Sequence, residues 1–229
     1  DANFEDFLAK GYLPEAIVNY IALLGWSPKD NREKLSMDEL TELFDVDGIS
    51  KSPSIFDEAK MKWLNGEYIK EMTPELFVEK ARPFLDASAV AGRFDYIKVA
   101  KLLIPRVEIF SEIPEKVECL RSFGEYDTAM FEHKKMKITQ PLALEVLRAC
   151  AEVLPSVADW TDEALKAELN ALAEREGRKS GQIYLPLRLA ITGAATTPGG
   201  ATEMAELLGK EETLSRLAFS IGLLEKALS

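Results

Sequence analysis

With 229 residues the chain has enough length for one large or two modest domains around a buried core. Its 47% apolar and 29% charged residues disfavour disorder, and its apolar runs are too short and too interrupted by charge to span a membrane. A net charge of −11 argues against a protein that coats nucleic acid non-specifically, because counterion release needs clustered cations, but it leaves room for a focused contact. The chain opens on Asp1 and reads like the middle of a longer sequence, so a fragment or a processed product is expected. No secretory leader pattern is present, which suggests an intracellular protein. Cys119 and Cys150 have neither metal-ligand nor redox spacing and lie on apolar-periodic stretches, so both are expected to be buried free thiols.

In chain order, Pro14 to Leu24 carries Ile17, Tyr20 or Ile21, and Leu24 at helical spacing, with proline in the first turn and Gly25 at the stop. Ser36-Met37-Asp38-Glu39 is a capping box opening a second helix, and Asp47-Gly48 a turn after it. Ser54 and Asp57 offer another box before Phe56, Met61 and Leu64, which Asn65-Gly66 is expected to close. Thr73-Pro74 starts a helix expected to break at Pro83, and Pro105 is expected to interrupt the stretch from Tyr96 to Phe110, leaving Arg106 beside an irregular point. A short helix follows over 113–120, then strong ones from Thr139 to Val153 and from Thr161 to about Gly177. Two terminal helices are expected at Thr202–Leu208, capped by Gly209, and at Glu212–Leu228, with Leu214, Leu217, Ala218, Ile221 and Leu224 inward. No strand-like alternation persists, so the expected fold class is all-α, built of sequential helical lobes.

The chemistry is sparse. His133 is the single histidine and sits in a basic, helix-like run, so neither a histidine-based zinc site nor a catalytic constellation is expected, and no phosphate-cradling glycine loop occurs. The segment Arg178 to Gly193, RKSGQIYLPLRLAITG, is harder to explain by folding alone, because Arg188 stands within an apolar run after a break at Gly181 and a proline at 186. Arg106 and Arg188, each beside a proline, suit a guanidinium held against a base edge, whereas flexible arginines mostly meet phosphate. Tyr184 offers a stacking face and Thr196-Thr197 offers hydroxyls to an unstacked base. The plainer alternatives are that Arg188 pairs with a carboxylate, that Tyr184 belongs to the core, and that the basic clusters around His133-Lys134-Lys135 and Arg175-Arg178-Lys179 are solvated faces.

Several blocks carry a family likeness. GYLPEAIVNYIALLGWSP (11–28), FDVDGISKSPSIFDEAKMKWLNGEYI (44–69), GQIYLPLRLAITGAATTPG (181–199) and LLGKE (207–211) resemble, in order, parts of the C-terminal half of bacterial glutamyl-tRNA synthetases, class I enzymes. The first block resembles the segment just after the family's KMSKS-type ATP loop. The second resembles its stem-contact domain, and the last two its distal anticodon-binding region. The resemblance implies a stem-contact helical domain over 1–70, a proximal anticodon-binding lobe over 71–125 and a distal one over 126–229, in an elongated arrangement. It also implies recognition of tRNA(Glu), with anticodon contacts from Arg106, Arg188, Thr197 and Tyr184, and backbone contacts from Lys134, Lys135, Arg178 and Lys179. Where family members often carry a larger residue two places after the PG proline, this chain has Gly200. The HIGH-type and KMSKS-type signatures lie upstream in the family and are not in this sequence. The chain alone is therefore expected to be inactive and cofactor-free, while the full enzyme uses ATP and Mg2+. The implied partners are tRNA(Glu) and an upstream catalytic domain, with neither membrane nor DNA, in a cytoplasmic monomer. A helical protein-interaction module and a synthetase charging both tRNA(Glu) and tRNA(Gln) stand as alternatives.

Overall fold

The computed structural model describes residues 3–50 and 55–229, and among them the α-helix is the dominant element, with no strand beyond two isolated bridges. The described residues fall into two compact units, Asp1–Glu115 and Lys116–Ser229.

The first unit begins with a short helix that the sequence reading did not identify, α1 (Phe4–Ala9), set by a capping box between Asn3 and Asp6. α2 (Pro14–Gly25) follows, then α3 (Met37–Leu43), whose Ser36–Glu39 box forms as expected. α4 (Glu58–Ile69) is capped by the Asp57 side chain accepting from the Lys60 N–H, whereas Ser54 lies outside the described residues. Asn65 and Gly66 do not end this helix but sit buried inside it. The Asn65 amide accepts from the Leu13 N–H at 2.8 Å and donates to the Glu108 carbonyl at 2.5 Å, so one side chain ties three chain segments. A Cβ on Gly66 would stand 3.0 Å from Glu108 Cγ and 3.3 Å from its Cα, so the helix and the Glu108 segment approach closely at this glycine. Phe7, Tyr12, Ile17, Tyr20, Met61 and Leu64 form one core cluster.

α5 (Pro74–Asp86) is capped by Thr73 and runs through Pro83 without the expected break, with the proline on its exposed side. Water can satisfy the carbonyl one turn back there, so the missing N–H costs less than in a buried turn. α6 (Tyr96–Leu103) stops just before Pro105 as expected. Phe77 meets Phe110 edge-on at 5.4 Å between ring centres. α7 (Ile113–Lys116) is a single turn.

The second unit is organised on α10 (Ser180–Thr192). Around it lie α8 (Gln140–Val153), α9 (Asp162–Arg175), α11 (Ala201–Leu208) and α12 (Lys210–Leu228), and α10 packs against all four. Thr139 and Thr161 cap α8 and α9 as their positions predict. On α9, Leu165, Leu169 and Leu172 are fully buried, each stabilising the unit by roughly 2 kcal/mol. The expected break at Gly181 is absent, and α10 continues through Pro186, which is itself buried. The inward stripe of α12 is rotated from the apolar pattern: Thr213, Arg216, Leu217, Ser220 and Leu224 are buried, and Ala218 is exposed.

Candidate nucleic-acid interface

The C-terminal end of α10 is built to be rigid. A helix leaves its last carbonyls without partners inside the helix, and a buried end must find them elsewhere. Here the Leu189 carbonyl accepts from the Gly193 N–H at 2.8 Å, that of Ala190 from Ser220 Oγ at 2.7 Å, and that of Ile191 from Arg216 Nη1 at 3.0 Å. Thr192 Oγ1 donates back to the Arg188 carbonyl at 2.7 Å. Gly193 closes the helix in the left-handed conformation, φ 64°, with Tyr126 packed so near that a Cβ would meet its ring at 3.2 Å. The Tyr126 hydroxyl bonds Ser220 Oγ at 2.7 Å, so α12 and the 126–131 segment share one polar relay behind the helix end. Arg216 is only 3% exposed, pairs with Glu212 at 2.7 Å and lies 4.6 Å from the Phe123 ring centre. Sequence reading missed Arg216 and Ser220. The signal was present as polar residues spaced i, i+4 within the buried register of α12.

On the other side of that helix end stands Arg188. Its Nη1 donates to Thr197 Oγ1 at 2.8 Å and to the Ala195 carbonyl at 3.0 Å, and Thr197 Oγ1 in turn donates to the Gly199 carbonyl at 2.7 Å. The loop 194–199 is thus folded back onto the guanidinium. Among the described residues Arg188 has no ion-pair partner, which removes the carboxylate alternative, and its Nε and Nη2 bond no described residue. Burial pulls its guanidinium below the ordinary arginine value, the opposite of what a carboxylate partner does. Such a half-buried cation held only by neutral acceptors gains from an incoming acceptor on its open edge.

Tyr184 lies four residues before Arg188 and therefore on the same face of α10. Its hydroxyl is tied to Asn170 Oδ1 at 3.0 Å and to the Lys166 carbonyl at 3.3 Å, which fixes the half-buried ring against α9. Burial raises its pKa and the nearby Lys166 opposes that rise. Arg188, Thr197 and Tyr184 thus belong to one surface of the second unit. Arg106 belongs to the first unit, just beyond α6, half-buried, with Nη1 donating to the Leu102 carbonyl at 2.8 Å.

The basic residues divide. Arg178 is held between Glu176 at 2.8 Å and Glu145 at 3.0 Å, so two carboxylates already occupy the guanidinium that was expected to meet the tRNA backbone. Lys134, Lys135 and Lys179 are exposed. The run around His133 is not helical in the way its sequence suggests: a 3-10 turn over Lys134–Met136 is capped by His133 Nδ1 accepting from the Met136 N–H at 3.2 Å. Cys150 is buried and burial pushes its thiol up to about 12, while Cys119 is only partly buried. Gly200 caps the start of α11, its N–H donating to Glu203 at 2.7 Å.

Residues 76–221 match the family described as "Anticodon binding domain", and residues 2–63 match "tRNA synthetases class I (E and Q), catalytic domain". A protein named glutamate–tRNA ligase from Clostridium acetobutylicum is 40% identical over 226 residues, which is 99% of this chain and 47% of that relative. One of the same name from Clostridium botulinum strain Hall is 44% identical over 221 residues, 96% of this chain and 45% of its own length. The chain belongs to the glutamyl-tRNA synthetase family. It spans about half the length of the curated relatives it matches. The crystal structure of a glutamate tRNA ligase from Elizabethkingia meningosepticum in complex with its amino acid aligns with a TM-score of 0.78 at 30% identity, over 97% of this chain and 43% of that one. Within this family setting, Arg188, Thr197 and Tyr184 all fall in the anticodon-binding match, as do Arg106 and the lysines of the 3-10 turn. No helix among the described residues is long and apolar enough to cross a membrane.

Proposed function

We propose that this chain is the tRNA-reading part of a glutamate–tRNA ligase and that Arg188, set by Thr197, reads an unstacked anticodon base. The observation that carries this reading is the open edge of the Arg188 guanidinium. Two of its nitrogens bond no described residue, the third is locked to the 194–199 loop, and no carboxylate among the described residues neutralises it. A planar fork fixed in this way presents donors to base-edge acceptors, and Tyr184 on the same helix face supplies a ring beside it. Arg106 in the proximal lobe, over 71–125, contributes a second contact, and residues 1–70 meet the inner side of the tRNA L. The whole enzyme activates glutamate with ATP and Mg2+ in its catalytic part and passes it to tRNA(Glu), as a cytoplasmic monomer. This chain's share is selection of the tRNA.

The test is binding of tRNA(Glu), tRNA(Gln) and an unrelated tRNA at low and moderate salt. Tightest binding of tRNA(Glu) at both salts is expected. Equal binding of tRNA(Glu) and tRNA(Gln) above the unrelated tRNA points to a dual-specificity enzyme. Equal binding of all three overturns anticodon reading by this chain.

A further inference from the structure

Residues 122–127 form no helix, and their aromatic side chains hold them to the second unit. Phe123 packs edge-on against Phe219 of α12 at 5.4 Å between ring centres, and Tyr126 lies 6.1 Å from Phe131. Tyr126 also reaches two places that bear on Arg188. Its hydroxyl bonds Ser220 Oγ at 2.7 Å, and its ring lies over Gly193.

Counting protons gives the first contact a direction. The Ala190 carbonyl can only accept, so Ser220 commits its one hydroxyl proton to that bond at 2.7 Å, and Tyr126 must donate the other. The relay runs from Tyr126 through Ser220 to the last turn of α10. A serine inside a helix commonly bonds the carbonyl one turn back, but the fully buried Ser220 crosses to a neighbouring helix.

The second contact matters because of what leaves from Gly193. The loop 194–199 starts there, and both acceptors that hold the Arg188 guanidinium lie on it, the Ala195 carbonyl at 3.0 Å and Thr197 Oγ1 at 2.8 Å. A glycine in the left-handed region, here at φ 64°, has no side chain of its own to limit the direction of the chain after it. The nearest atoms to the place where a Cβ would stand are those of the Tyr126 and Phe123 rings, at 3.2 and 3.7 Å. The Tyr126 ring therefore bounds the point from which the loop departs, and Ser220 fixes that ring.

We infer that Tyr126, held by Ser220, is a positioning residue for base reading: it sets the departure of the 194–199 loop and, through the loop, the plane of the Arg188 guanidinium. The inference rests on the tRNA-reading role above and extends the specificity machinery to a segment outside α10 and its loop.

The experiment titrates anticodon stem-loops carrying the cognate and substituted bases against the parent chain, Tyr126→Phe, Ser220→Ala and the double variant, and measures the urea unfolding midpoint of each. One net hydrogen bond corresponds to about 3- to 10-fold in affinity, and the ratio of cognate to substituted affinity should fall by about that factor in Tyr126→Phe, which keeps the ring. Ser220→Ala should lose at least as much. Adding Tyr126→Phe to it should change the ratio no further, because the hydroxyl then has no partner to lose. A merely structural role lowers the unfolding midpoints and leaves the ratio at the parent's value, and that result overturns the inference. Losses that add in the double variant overturn the relay. Equal binding of every stem-loop by the parent chain overturns base reading itself, an outcome recognisable without any variant.

Discussion

Replacing Thr197 by valine keeps the shape of the side chain and removes only the hydroxyl that joins Arg188 to its loop. That oxygen accepts from Arg188 Nη1 at 2.8 Å and donates to the Gly199 carbonyl at 2.7 Å, so both bonds disappear together. Arg188 keeps its bond to the Ala195 carbonyl, and its half-exposed head can recruit water, so the cost falls below that of breaking a fully buried charged pair. About 1–2 kcal/mol of fork positioning is at stake, or roughly 5- to 30-fold in affinity for the cognate anticodon. Fluorescence anisotropy with anticodon stem-loops carrying the cognate and substituted bases reads this directly. Thr197→Val should lose affinity chiefly for the cognate loop, and Thr197→Ser should restore most of it. Equal losses for every loop, or no rescue by serine, would refute the idea that this hydroxyl sets the reading arginine.

Behind the same helix end, Arg216→Met orphans the Ile191 carbonyl and should cost about 1–3 kcal/mol in chemical unfolding, with unchanged midpoint contradicting its anchoring role. Asn65→Leu leaves the buried Leu13 N–H and the Glu108 carbonyl without their partner, and a cost of about 1–3 kcal/mol for each orphaned group should lower the melting temperature clearly. The Cys150 thiol, raised by burial from an ordinary 9.0 to about 12, stays protonated in the folded state after the unfolded chain has ionised. Its contribution to stability is therefore complete below pH 9 and is lost as pH rises from there toward 12, a decline that Cys150→Ala should diminish in pH-dependent unfolding. A Cβ at Gly11, where φ is 85°, would stand 2.6 Å from Phe110 Cβ, so Gly11→Ala should destabilise the first unit measurably by calorimetry.

Much of the helical frame was legible because caps are local. Ser36, Thr73, Thr139 and Thr161 each bond the backbone N–H three residues on, as their positions before apolar runs indicate. Prolines and Asn-Gly pairs misled where tertiary contacts override local preference. Pro186 stays helical because α10 is packed by four neighbours, and Asn65-Gly66 serves a junction with Glu108 that lies 43 residues away in the chain. In the candidate site, the oddity of Arg188 in an apolar run was readable, and so was the neighbouring threonine loop. That the two bond each other was not, since it depends on the loop folding back past Gly193. The role of Arg216 was hidden because an arginine on an amphipathic helix ordinarily faces water, and only the packing of α12 turns it inward.

The most direct measurement compares parent and Arg188→Ala chains in binding tRNA(Glu) and tRNA(Glu) transcripts with altered anticodons. Removal of the guanidinium should weaken the cognate transcript by about 1–3 kcal/mol and leave the altered ones nearly unchanged, so that discrimination collapses. A uniform loss across all transcripts would assign Arg188 to the phosphate backbone, and no loss would remove it from the interface; either result contradicts anticodon reading by this residue.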